Sequence, residues 1–252
     1  MIAEALQYLA TSALTGSAHR SYIRYSVNLW SRAGRCSKDW AAHEESCKNA
    51  IRTAIAGLSQ RRTAVVLGSG LLRDVPIEDL AKSFDTVVLV DLVHLASVRL
   101  WLKAKGLRNV RLIERDLSGY EALAAGEAAE PLGFLRSVPY LDFVVSANLL
   151  SQIGRGVKRR YETETSSGMP TDTVERLIAA HLQGLADLPC HTCLLTDISY
   201  TVIDRTGKVH EEVDLLHGIA PPKAKAGWDW PVAPIGEESR DYQIVHKVIA
   251  AW

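Results

Sequence analysis

Two glycines one residue apart, Gly68 and Gly70, close the apolar run TAVVL at residues 63 to 67. A glycine turn at the end of a buried strand lets the main chain approach a ligand closely, because no Cβ holds it away, and it offers amide N–H groups to an anion. In this chain those amides belong to Ser69, Gly70 and Leu71, just ahead of a predicted helix. The next apolar run, TVVLVD at 86 to 91, ends in Asp91, twenty-one residues after Gly70. An acid there, on the neighbouring strand tip, accepts hydrogen bonds from the two ribose hydroxyls of an adenosine cofactor. Asp116 ends the third run, VRLIERD, either within reach of an adenine amino group or as a turn residue.

The fourth run, LDFVVSAN, ends in Asn148, whose amide oxygen orients an acceptor or else satisfies backbone groups at the strand end. Asp197 and Tyr200 lie in the fifth run, HTCLLTDISYTVI, and face the same edge if the register is right. Asp197 reads as an acceptor-binding carboxylate or base, with a sheet-edge hydrogen bond as the alternative. A dinucleotide fingerprint needs a third glycine at position 73, and Arg73 stands there, which counts against a nicotinamide cofactor.

The order and spacing of these residues resemble the class I S-adenosylmethionine-dependent methyltransferase family over roughly residues 62 to 203. Of the family's first motif, acid-x-G-x-G-x-G, the chain keeps Gly68 and Gly70, with Val66 at the acidic position and Leu72 at the third glycine. The resemblance implies an α/β, doubly wound, mostly parallel Rossmann-like sheet. It also implies S-adenosylmethionine as cofactor, its carboxylate on the amides of the glycine turn at Gly68, Ser69 and Gly70 and its ribose on Asp91. Adenine would lie by Asp116, between Leu92 and Leu117, and the methyl group would point toward Asn148. The activity implied is in-line methyl transfer to a small-molecule acceptor, with Asn148, Asp197 and Tyr200 as catalytic candidates. Two alternatives stand beside it: a noncatalytic protein of the same fold that binds a nucleoside ligand or a partner, and a user of the cofactor with non-methyl chemistry.

Cysteine and histidine suggest a different chemistry. Cys36, Trp40, His43 and Cys47 follow helical spacing, and CHTC groups Cys190, His191 and Cys193. Brought together they would make a soft-ligand zinc site, but neither half has the C-x2-C or H-x3-H form, and core packing is the reading we adopt, with no metal. In HRSYIRYSVNLWSRAGR, Arg20, Arg24, Arg32 and Arg35 are interleaved with aromatics, which suits either nucleic acid or an amphipathic helix covering an acceptor pocket. Lysine plus arginine equals aspartate plus glutamate at 29 each, so no net charge draws the chain to nucleic acid, and the second reading is preferred.

These residues need elements to hold them. The 252 residues, 47% hydrophobic, suffice for one main domain. Residues 1 to 61 form a helical N-terminal cap and 62 to 252 the cofactor-binding domain. Short β-branched runs alternate with predicted helices at 76 to 84, 93 to 105, 119 to 130 and 173 to 188, the last with Asp172 as N-cap. Residues 154 to 170, with Arg155, Lys158, Arg159 and Arg160, read as a lid loop that grips an anionic acceptor or as a solvated charged run. YQIVHKVIAAW reads as a closing reversed strand at the sheet edge, and Trp228 and Trp230 as a pocket wall or an ordered edge segment. MIAEALQYLATSALTG carries Glu4 and no basic start, and no apolar stretch reaches the ~20 residues of a membrane span. A soluble, cytoplasmic protein is therefore expected, without a membrane partner and with thiol cysteines; its oligomeric state stays open.

Overall fold

The computed structural model describes residues 1–164 and 170–252. Eight strands form one sheet in the order β3-β2-β1-β4-β5-β8-β7, with β6 (Val209–Asp214) paired to β5 off this path. Strands β1 (Thr63–Leu67), β2 (Thr86–Asp91), β3 (Val110–Glu114), β4 (Leu141–Ala147) and the first part of β5 (His191–Asp204) run parallel. β8 (Tyr242–Ala251) is antiparallel to both β5 and β7 (Ala226–Ala233). This is the doubly wound, Rossmann-like arrangement of class I methyltransferases, and the expected fold class is the one found.

Side chains of the central strands alternate between two helical layers, as a period of two requires. Ala64 and Val66 of β1, Val87 and Leu89 of β2, Phe143 and Val145 of β4, and Cys193 and Leu195 of β5 share one core. Helices α3 (Ser37–Ala56), α4 (Ile77–Ser83) and α5 (Ala96–Ala104) cover it. Val65, Leu67, Val90, Val144 and Leu194 enter the other core, under α6 (Tyr120–Ala124), α7 (Leu150–Glu164) and α8 (Thr173–Ala186). α3 thus belongs to the sheet's own core, through Cys47, Ile51 and Ile55. The shorter α1 (Ile2–Ser12) and α2 (Ile23–Arg35) precede it. The Thr11 hydroxyl accepts the Ala96 amide at 3.0 Å and Glu114 accepts the Gly16 amide at 3.0 Å, so the end of α1 is tied to the start of α5 and the segment after α1 to the tip of β3.

Four local expectations are corrected. The closing strand β8 is an interior strand, and the edge is β7, where Pro231 is tolerated because an edge strand needs no donor on its outer side. The segment from 154 reads as a loop because of its glycines and charges, yet 154–164 belong to α7. A Cβ on Gly154 would meet Val174 of α8 at 3.0 Å, so that glycine serves close helix packing. Residues 165–169 of the expected lid lie outside the described residues. The weak helix at 119 to 130 shrinks to Tyr120–Ala124, and Asp172 stands at the N-cap of α8 without a side-chain capping bond.

Candidate functional site at the carboxyl edge of the sheet

The chain leaves β1 toward β2 on one side, and β4 lies on the other, so the crevice beyond the tips of β1 and β4 is the topological switch point where ligands bind in such sheets. Gly68, Gly70 and Leu72 all have positive φ, at 71°, 50° and 59°. The two glycines serve different ends. A Cβ on Gly68 would lie 3.0 Å from the Ala147 carbonyl oxygen, so this glycine is required by packing against β4. A Cβ on Gly70 would meet nothing nearer than the Gly68 carbonyl at 3.8 Å, so the space before it is open.

Asp91 reaches back to this turn. Its Oδ2 accepts the Gly70 amide and its Oδ1 the Leu92 amide, each at 2.7 Å. Burial pushes its carboxyl above the usual carboxylate range, against the pull of these amides. Each oxygen keeps a second lone pair, so the carboxylate can still accept from a diol. The amides of Gly68 and Ser69 both go to the Val90 carbonyl, at 2.9 and 3.4 Å. The carboxylate seat expected from successive glycine-turn amides is therefore largely taken up by Val90 and Asp91. Nor does a helix start directly behind the turn, because α4 begins only at Ile77. Asp116 accepts the Ser118 amide at 2.8 Å as a turn residue and pairs with Arg160 of α7 at 3.4 Å. Leu92 packs on the α3 side of the sheet and Leu117 on the α7 side.

The region around the tips of β4 and β5 is richer in polar contacts than the sequence suggests. β5 runs past the tip of β4, and its pairing with β8 slips by one residue between Asp197 and Ser199. That bulge puts Asp197 and Tyr200, an odd interval apart, on one face. Tyr200 stands opposite His246, and His246 opposite Trp230 of β7, which forms a row across three strands on the α3 side. His246 Nδ1 donates to Asp197 Oδ2 at 2.6 Å, and both side chains are buried. The partnership with His246, helped by Ser151, holds the Asp197 carboxyl below its ordinary range despite burial.

α3 closes this face. His43 stacks on Trp230 with centroids 4.0 Å apart, and the Trp228 indole donates to His43 Nδ1 at 3.0 Å. Burial lowers the His43 pKa to about 4, so the ring is neutral near pH 7. One helical turn on, Cys47 Sγ lies 3.6 Å from both His43 Nε2 and Asn148 Nδ2. Asn148, at φ 49°, also donates to Asp74 Oδ2 at 2.7 Å.

His43, Cys47 and Asp74 lie close enough together to suggest a metal centre. The tautomer opposes it: an indole can only donate, so Nδ1 must accept, and the proton of the neutral ring sits on Nε2, the atom a metal would need. The soft-ligand set suggested by the sequence is also split, since Cys190 and His191 line a groove with Leu58 and Asp142 at the opposite, amino edge of the sheet.

Among the described residues, five of the eleven buried polar side-chain atoms without a partner lie here: Ser69 Oγ, Asn148 Oδ1, Asp197 Oδ1, Trp230 Nε1 and His246 Nε2. Such atoms are rare in folded proteins, and each is expected to have a use. These atoms lie after β1 and β4, on β5, and on the neighbouring β7 and β8. Sequence reasoning placed Gly68, Ser69, Gly70 and Asp91 at the first two strand tips, Asn148 at the fourth, and Asp197 and Tyr200 toward the same edge. It missed His246 and Asp74. A histidine inside the apolar run YQIVHKVIAAW is the available signal for the first, because a core imidazole needs a partner.

No family model matches the chain, and no curated protein matches it. Solved structures do. The 1,6-didemethyltoxoflavin-N1-methyltransferase of Burkholderia thailandensis, with bound substrate and S-adenosylhomocysteine, is 13% identical, covering 93% of this chain and 90% of its own, at a TM-score of 0.42. The YcgJ protein of Bacillus subtilis is 11% identical over 82% and 97%, at 0.44. The N-methyltransferase NodS of Bradyrhizobium japonicum, with S-adenosylhomocysteine, is 13% identical over 81% and 86%, at 0.38. Likeness this distant carries no argument about activity; the methyltransferase-like fold of this chain rests on its strand order.

Proposed function

We propose that this protein binds S-adenosylmethionine across the tips of β1 and β2 and transfers its methyl group to a small-molecule acceptor held between β4, β5 and α3. The observation that carries the reading is Asp91. It sits at the β2 tip, twenty-one residues after Gly70, and is tied to the open glycine turn by the Gly70 amide. Asp91 would hold the ribose hydroxyls, while Leu92, Leu117 and Asp116 would flank adenine. The unpartnered Ser69 hydroxyl would take the place of an amide in holding the cofactor's polar tail. Bound there, S-adenosylmethionine supplies a methyl group activated by a positively charged sulfur.

The chain's own part is chiefly alignment, which accounts for about 7–11 kcal/mol of a barrier in well-oriented systems. Asn148 and Tyr200 would orient the acceptor, and the layer of α3 and β7 would keep water from it. Calorimetry with S-adenosylmethionine and S-adenosylhomocysteine tests the reading, with binding of both expected. Absence of heat with either would leave the noncatalytic alternative in its place.

A further inference from the structure

The pair formed by Asp197 and His246 has a consequence for the reaction. Resting on the cofactor reading above, we propose that His246 is the general base of the acceptor half-site, and that the acceptor's nucleophile is an acidic O–H or a heteroaromatic N–H. The geometry sets the tautomer of the neutral ring: Nδ1–H donates to Asp197 Oδ2, and in that form Nε2 carries a lone pair. Among the described residues that nitrogen is buried and has no partner, a state that folded proteins rarely leave without a use.

Its neighbour on the sheet face, Trp230, carries a buried Nε1–H that is likewise unpartnered, with the two rings 5.8 Å apart. An acceptor atom and a donor atom in one cluster suit a group that both gives and takes a hydrogen bond, as a phenol, an enol or a lactam does. Tyr200, 5.7 Å from His246 and nearly parallel to it, adds an aromatic wall that favours a flat partner. Asp197 is the weaker choice for the base, because its carboxyl is held low by the partnership with His246, even though Oδ1 is free to accept.

The titratable groups around the imidazole are Asp197 and Tyr200 of β5 and the neutral His43 of α3, with Arg155 and Glu211 acting on Tyr200. Asp197 is the acid bonded to it, so imidazolium formation during the reaction is stabilised in place. The acceptor's proton passes to His246 Nε2, its freed electron pair forms the bond to the methyl carbon, and the methyl–sulfur bond breaks with its pair left on sulfur. A base so placed contributes about 10²–10⁴-fold to rate.

The test uses the full-length protein saturated with S-adenosylhomocysteine and 4-nitrophenol as a coloured, weakly acidic probe. Below the probe's own pKa, the complex should develop the yellow phenolate band. The His246→Gln variant should bind S-adenosylhomocysteine with wild-type affinity, which shows that it folds, and should give no band; Asp197→Asn should weaken it. A probe that stays neutral with the wild type, or is equally ionised with His246→Gln, overturns the proposal. Nitrogen-15 spectra of the imidazoles provide a second readout: His246 in the Nδ1–H form is expected, and the Nε2–H form would refute it. Failure of the wild type to bind S-adenosylhomocysteine is read separately by calorimetry; it sinks the cofactor reading and this step with it.

Discussion

The two glycines of the turn after β1 give a paired prediction, because a methyl group added at each meets a different environment. Both have positive φ, 71° at Gly68 and 50° at Gly70, so alanine at either pays about 1–2 kcal/mol for the left-handed backbone. About 0.4–1 kcal/mol is returned by the reduced freedom of the unfolded chain. For Gly70→Ala the balance is about 1 kcal/mol of lost stability, because the new Cβ finds no atom nearer than 3.8 Å. For Gly68→Ala the Cβ lies 3.0 Å from the Ala147 carbonyl oxygen and 3.2 Å from Leu149 Cβ, and a backbone oxygen in a parallel ladder cannot swing away. Overpacking adds about 1–3 kcal/mol, for a total near 2–4 kcal/mol. Urea unfolding measures both, and calorimetry with S-adenosylhomocysteine supplies the decisive contrast. Gly70→Ala should fold nearly as well as the wild type yet bind at least about tenfold more weakly, a loss of about 1.4 kcal/mol, since its Cβ stands in the space a ligand would use. Wild-type affinity in Gly70→Ala would refute the placement of the cofactor over this turn.

Asp91→Ala should lower affinity for S-adenosylhomocysteine by about 10- to 100-fold, from the loss of charge-assisted bonds of about 1.5–3 kcal/mol; unchanged affinity would deny the ribose contact. Stability should fall as pH drops from about 6.5 to about 4. Burial lowers His43 and His181 to about 4, so over that window the unfolded chain takes up protons the folded one refuses, at up to about 3 kcal/mol for each histidine. Urea midpoints measured across that range check this, and His181→Asn should make the slope in that window shallower, with the buried His94, which is also lowered by burial, and His43 keeping the remainder. Trp228→Phe takes away the donor to His43 Nδ1 and should cost about 1–3 kcal/mol, with the His43 ring free to change tautomer in nitrogen-15 spectra.

Much of the parallel half of the fold was legible, because buried strands announce themselves as short β-branched runs and each of these ends in a residue suited to the carboxyl edge. TAVVL, TVVLVD and LDFVVSA are strands with nearly the boundaries read from the sequence. The antiparallel half was harder. AGWDWPVA has alternating tryptophans that fit a strand, but Pro231 and the flanking prolines argue for a loop, and only pairing with β8 decides the matter. Gly154 and Gly156 read as loop residues because glycine lowers helix propensity by about 1 kcal/mol relative to alanine. Packing of α7 on α8 outweighs that, since nothing larger fits opposite Val174.

The candidate site shows the same division more sharply. Gly70 and Asp91 are separated by one strand–helix–strand unit, so their meeting follows from local spacing, and sequence reasoning reached it. His246 meets Asp197 only because β8 inserts between β5 and β7 and because one bulge shifts the register by a residue. Without that bulge Asp197 and Tyr200 would fall on opposite faces, and the imidazole could not have both an acid and an aromatic wall. The neighbouring histidine makes the point in reverse. His43 receives a hydrogen at Nδ1 from Trp228, and His246 gives one from Nδ1 to Asp197, so two imidazoles packed around the same indole are set in opposite tautomers. One therefore presents a donor at Nε2 and the other an acceptor. The residue types were all visible in the chain, but the sign of each nitrogen depends on partners 185 and 49 positions away. The pairing of Asp197 with His246 is thus a property of strand register, and a single-residue slip in β5 would abolish it while leaving the composition of the crevice unchanged.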